Sequence, residues 1–96
     1  MAKLAFSGRF LEDIERILSC YAAMDRALAE AQVQAIVEAL SMLERHPWMG
    51  RPTKDGRREL VISRGKTGFV ALYRVDVRHD RIRILRVRHH REIGFE

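Results

Sequence analysis

Residues 57–91, RRELVISRGKTGFVALYRVDVRHDRIRILRVRHHR, constrain the fold more than any other stretch of this chain. They read as three successive β-strands joined by tight turns, Glu59–Ser63, Phe69–Asp76 and Arg81 to about His89. The first link, Arg64-Gly65-Lys66-Thr67-Gly68, has two glycines able to take positive φ, and the second is Arg78-His79-Asp80. Short apolar runs bounded by Gly and Asp predict an antiparallel meander. In the middle strand Phe69, Ala71, Tyr73 and Val75 share one face, with Arg74 and Asp76 on the other. The last strand breaks the alternation, because Ile82 and Ile84 share a face while Leu85 and Val87 share the opposite one. Either a bulge resets the register near Ile84 or both faces are partly covered.

The preceding half supplies helices to cover that sheet. Lys3–Phe6 is a candidate short strand, and Ser7 a good helix N-cap. Phe10, Ile14, Ile17, Leu18 and Tyr21 form one apolar stripe of a helix from about Gly8 to Ala23. Glu12, Asp13 and Glu15 fall near its N-terminal end, where the helix dipole favours acids. Asp25 is placed to cap a second helix, with a stripe of Leu28 or Ala29, Val33, Ile36, Val37, Leu40 and Leu43 that stops at His46-Pro47. A very short link between two such helices predicts an αα-hairpin. Residues 47–56, with two prolines and two glycines, read as a loop. Trp48 is expected to plug the core and pin that loop, the alternative being an exposed aromatic for a partner. The order is β-α-α-β-β-β, an α+β chain with a helical hairpin on one face of a small, mostly antiparallel sheet.

Ninety-six residues make one domain, residues 1–96, with a modest core. The apolar runs are too short to cross a bilayer, the N-terminus lacks the apolar stretch of a signal peptide, and Cys20 is the only cysteine, so a cytoplasmic location is expected. Cys20 is expected to be a buried, inert thiol within the first helix. Residues 1–50 carry a net charge of −2 and residues 51–96 one of +7, so the basic charge belongs to the sheet half. Such a surface attracts nucleic acid or an acidic protein, or else keeps a solvated sheet face soluble.

The inventory of chemistry is short. Gly65 and Gly68 lie between strands, not before a helix, so there is no phosphate-binding loop. A lone cysteine excludes a cysteine-based zinc site, and the neighbours His89 and His90 point to opposite faces of a strand; neither a metal nor another cofactor is expected. What remains is a basic and histidine-bearing cluster: Arg58, Arg64, Lys66, Arg74, Arg86, Arg88, His89, His90 and Arg91. Metal-free RNA cleavage needs a base, an acid and cations for the developing phosphorane charge, and these residue types could supply them. The favoured reading of the two histidines from the residues alone is as surface residues at a strand end.

Leu11–Tyr21, His46-Pro47, Gly50-Arg51-Pro52, Gly56 with Arg58-Glu59-Leu60, Gly68–Arg74, Ile84–His89 and Arg91-Glu92 follow one another in an order that resembles the RelE/ParE superfamily of bacterial type II toxins, closest to the ParE-like, plasmid-stabilisation branch. The resemblance implies a growth-arresting toxin neutralised by a co-expressed acidic antitoxin. It implies DNA gyrase as the target if the chain follows ParE, or ribosome-bound mRNA if it follows the RelE nucleases; an inactive binding module of the same fold is the third possibility. For a nuclease, Arg58, Arg74, Arg88 and His89 or His90 are the expected catalytic residues, although no C-terminal tyrosine is present. Lys54, Arg64, Lys66, Arg86 and Arg91 are the expected target-binding cluster. Phe10, Tyr21 and Trp48 are the expected antitoxin contacts.

Overall fold

A computed structural model describes residues 2–64 and 67–89. The elements are β1 (Lys3–Phe6), α1 (Gly8–Ala22), α2 (Arg26–Ser41), β2 (Arg51–Pro52), β3 (Arg58–Arg64), β4 (Thr67–Asp76) and β5 (Arg81–His89). The strands form one sheet in the order β1-β5-β4-β3-β2, antiparallel except for the β1–β5 pair. The α1–α2 hairpin covers one face, as the alternation predicted. The two-residue strand β2 lies in a stretch read from sequence as loop; it pairs Arg51 with Glu59 and Pro52 with Arg58.

Both helix caps are as expected. The Ser7 Oγ accepts from the Phe10 N–H at 3.0 Å, and the Asp25 carboxylate from the N–H of Ala27 at 2.9 Å. The stripe on α2 is buried at the expected Ala29, Ile36 and Leu40, but Gln32 is buried in place of Val33. Val37 is 45% exposed. α2 ends at Ser41, and a 3-10 turn, Met42–Glu44, carries Leu43 into the core before His46-Pro47.

The irregularity of the last strand is a bulge. Leu72 faces Arg86 and Tyr73 faces Ile84, so Leu85 is the extra residue. It puts Ile82, Ile84 and Val87 on the same face, all fully buried under the helices. The bulge lies where β1 ends and β5 would otherwise present unpaired backbone groups. Here the start of α1 takes over the strand edge: Ser7 N–H donates to the Ile84 carbonyl at 3.0 Å, and Ser7 Oγ donates to that of Leu85 at 2.7 Å. One residue thus caps the helix and closes the sheet edge.

Cys20 departs from expectation: its thiol side chain is exposed. The buried side of α1 runs through Phe10, Asp13 and Ile17, and residues 22–28 at the hairpin tip are all exposed. Leu18, assigned to the apolar stripe, is 38% exposed because it lies seven residues after the exposed Leu11, on the flank of the helix and not on its buried side.

Candidate functional site

Asp13 is the polar centre of the helix–sheet junction. Its side chain is 5% exposed and accepts two bonds from the Arg86 guanidinium, at 2.8 and 3.1 Å, one from the Val87 N–H at 3.0 Å and one from Arg16 at 3.3 Å. The Val87 N–H is another edge group of the bulged strand, so this carboxylate continues what Ser7 begins. Burial on its own pushes the Asp13 carboxyl up; the Arg86 fork, the Val87 N–H and Arg16 outweigh it and hold the pKa below the ordinary 3.8. A carboxyl held low in the folded chain contributes stability that is fully present above its unfolded value and is lost as pH falls through the folded one. Urea midpoints of the wild-type chain should therefore fall more steeply on acidification below about pH 4 than those of Asp13→Asn. Parallel curves would show that the carboxylate is not ionised by virtue of this pairing.

Arg86 was expected to bind a target. Its guanidinium bonds Asp13, so its substitution is expected to act at least in part through folding. Beside it, where the outer sheet face meets the N-terminal end of α1, lies a cleft of about 510 Å³ with Leu72 and Leu85 on its floor and Arg9, Arg57 and Glu12 around it.

The expected catalytic residues do not share one place. Arg58 lies opposite Tyr73 and His89 opposite Phe69, both on the helix-covered face. Those positions are four residues apart along β4, about 13 Å, and on strands flanking β4 on either side, nearly 10 Å across. Arg74 and Arg88 lie on the outer face, opposite Arg83 and Val70, and are separated by the same four residues. His89 is half-buried with its ring edge-to-face against Phe69 at 5.5 Å. The Arg58 Nε and Nη2 donate to the carbonyls of Gly50 at 2.8 Å and Trp48 at 3.0 Å, which aims the side chain at the loop. His90, Arg91 and Lys66 lie outside the described residues, as does the side chain of Arg64. Among the described residues no group of three His, Cys, Asp or Glu side chains is placed to hold a metal ion.

Tyr73 is fully buried, and its hydroxyl is a latch. It donates to the Pro47 carbonyl at 2.8 Å and accepts from the Gly50 N–H at 2.9 Å. Gly50 is required here, because a Cβ would lie 2.6 Å from the Tyr73 hydroxyl and 2.7 Å from the Glu59 carbonyl oxygen. The latched loop turns Trp48 outward. Trp48 is 56% exposed, with the Arg58 guanidinium 5.4 Å from the ring centroid, so it is not the core plug expected. Tyr73 itself fills the place a plug would take.

Of the other expected antitoxin contacts, Tyr21 is half-buried, edge-on to Phe69, and Phe10 is buried at 3% exposure with its ring stacked on Phe6. The apolar surface α1 offers to a partner is Leu11, 52% exposed, and Leu18, two turns along. Among the described residues no helix is long and apolar enough to cross a membrane.

Residues 4–94 of the chain match a family model, the ParE toxin of type II toxin–antitoxin systems. The chain belongs to the ParE toxin family. Solved structures agree. The ParE-family chain is similar to a component of the chromosomal ParDE system of P. aeruginosa, with 28% identity and a TM-score of 0.79 over 93% of this chain and 96% of that one. It is also similar to a chain of the RelBE2 toxin–antitoxin complex of Mycobacterium tuberculosis, with 26% identity and a TM-score of 0.58 over 93% and 98% of the two chains. With a chain of the intact RelBE complex of E. coli it shares the fold, at 13% identity and a TM-score of 0.58 over 91% and 94%. A search of curated protein sequences returned no match.

Proposed function

We propose that this ParE-family toxin arrests growth by binding DNA gyrase, without catalysing a reaction, and that a cognate antitoxin neutralises it. The observation that carries the non-catalytic reading is the scatter of the nuclease candidates. Arg58 is tied to the loop carbonyls at one end of the sheet, His89 packs on Phe69 at the other, and Arg74 and Arg88 lie on the opposite face. General acid–base cleavage needs its groups within hydrogen-bond reach of one phosphate. The higher TM-score with the ParDE component, 0.79 against 0.58 for the RelBE2 chain, supports the same side.

The antitoxin, in this reading, is an acidic segment that folds on binding and lies along α1, where Leu11 and Leu18 form an exposed apolar pair. Adding purified chain to a bacterial translation extract and mapping mRNA 5′ ends tests the choice of mechanism. Intact mRNA is expected. New ends that appear only with engaged ribosomes, and vanish in His89→Ala, would establish the RelE-like alternative.

A further inference from the structure

The loop around Trp48 is stiff and yet holds its largest apolar side chain in water. The Tyr73 hydroxyl ties Pro47 to Gly50, and Arg58 bonds the Trp48 and Gly50 carbonyls while lying 5.4 Å from the indole centroid. Trp48 is 56% and Met49 51% exposed. A slack loop would fold such side chains onto the nearest apolar surface; this frame prevents it. Beside the ring is a cleft of about 400 Å³ walled by Pro47, Trp48 and Met49, with Arg45 and His46 at its rim. Residues 45–58 carry five Lys or Arg and one acid, Asp55. Tryptophan and arginine are the side chains most enriched at interface hot spots, and methionine adapts to an incoming apolar group.

We propose that this Trp48 platform is the surface with which the toxin holds its target, and that the occupant is a protein segment carrying one apolar or aromatic side chain for the cleft, flanked by Asp or Glu for Arg45 at its rim. The inference rests on the reading of the chain as a toxin that acts by binding. The concave apolar cleft suits a protruding side chain. The rim charge is too dilute for a run of phosphates, since Arg51 lies 2.9 Å from Glu59 and Arg57 3.6 Å from Asp55. The platform is also distinct from the α1 surface expected to take the antitoxin: α1 is bonded to β5, whereas the Trp48 loop leads into β2 at the other edge of the sheet.

The test compares wild type with Trp48→Ala and with Arg45→Glu. Viable counts after induction in bacteria lacking the antitoxin, affinity for the antitoxin encoded beside the toxin, and melting temperature are measured for each. Both variants should keep their melting temperature and antitoxin affinity while losing toxicity, with target binding weakened about thirtyfold or more for Trp48→Ala. Trp48→Phe should restore part of the activity. Full toxicity in Trp48→Ala overturns the proposal, whether or not antitoxin binding changes. Loss of toxicity together with antitoxin affinity, at unchanged melting temperature, overturns it too, because the surface is then shared. Trp48 is the only tryptophan, so its fluorescence reports the platform directly. Saturable quenching by an oligo-dT single strand would reassign the occupant to nucleic acid. Wild type that arrests growth without inhibiting gyrase removes the gyrase reading alone, and the Trp48→Ala comparison still decides this one; wild type without toxicity removes both.

Discussion

Asp13→Ala is expected to cost about 3–5 kcal/mol of folding stability, the loss typical when one partner of a buried ion pair is removed. The substitution leaves Arg86, whose side chain is 25% exposed, without the carboxylate that takes two of its donors. It also leaves the Val87 N–H at the bulged edge of β5 without its acceptor. For a domain of this size the melting temperature should drop by more than about 10 °C. That is a large share of the roughly 5–15 kcal/mol that holds a domain folded, so poor soluble yield is part of the expected result. The double change Asp13→Leu, Arg86→Met should recover most of the loss, because neither charge is then buried. It should stay about 1–3 kcal/mol short of wild type, since the Val87 N–H remains unmet. Thermal melts of the two variants beside wild type check this. A single mutant that melts within a few degrees of wild type would show that Asp13 is not what joins α1 to β5.

Tyr73→Phe is the second large effect, about 2–3 kcal/mol, because it orphans both the Pro47 carbonyl and the Gly50 N–H while leaving the ring in place. The consequence reaches further than stability. Without the latch the Pro47–Gly50 loop is free to fold Trp48 down, so toxicity should fall although no exposed side chain has changed. Trp48 emission should shift to shorter wavelength in Tyr73→Phe as the ring leaves water. Unchanged stability and emission would mean that the loop is held by Arg58 alone.

The sheet and both helices were legible because their signals are local. Strand alternation and the Ser7 and Asp25 caps each act within a turn or two of chain. The bulge was legible as an ambiguity, resolved in space because Ile82, Ile84 and Val87 must all reach the helices. Asp13 was misread as a dipole acid, although its position, three residues after Phe10 and four before Ile17, sets it on the buried stripe. An acid on an apolar stripe signals a buried cation, and the sequence could not say which arginine answers it across 73 residues. Trp48 was misplaced because size and hydrophobicity favour burial, while the competing occupant, Tyr73, is remote in sequence. Nothing local to Cys20 reveals that the end of α1 around it is exposed. The basic residues could be counted from sequence, but their division between two faces and two ends of the sheet depends on strand register.

The measurement that tests the central claim most directly is gyrase supercoiling of relaxed plasmid with increasing purified chain, with and without its antitoxin. The account predicts dose-dependent inhibition that the antitoxin reverses and that His89→Ala leaves intact. Supercoiling unchanged at toxin concentrations that arrest growth would contradict it.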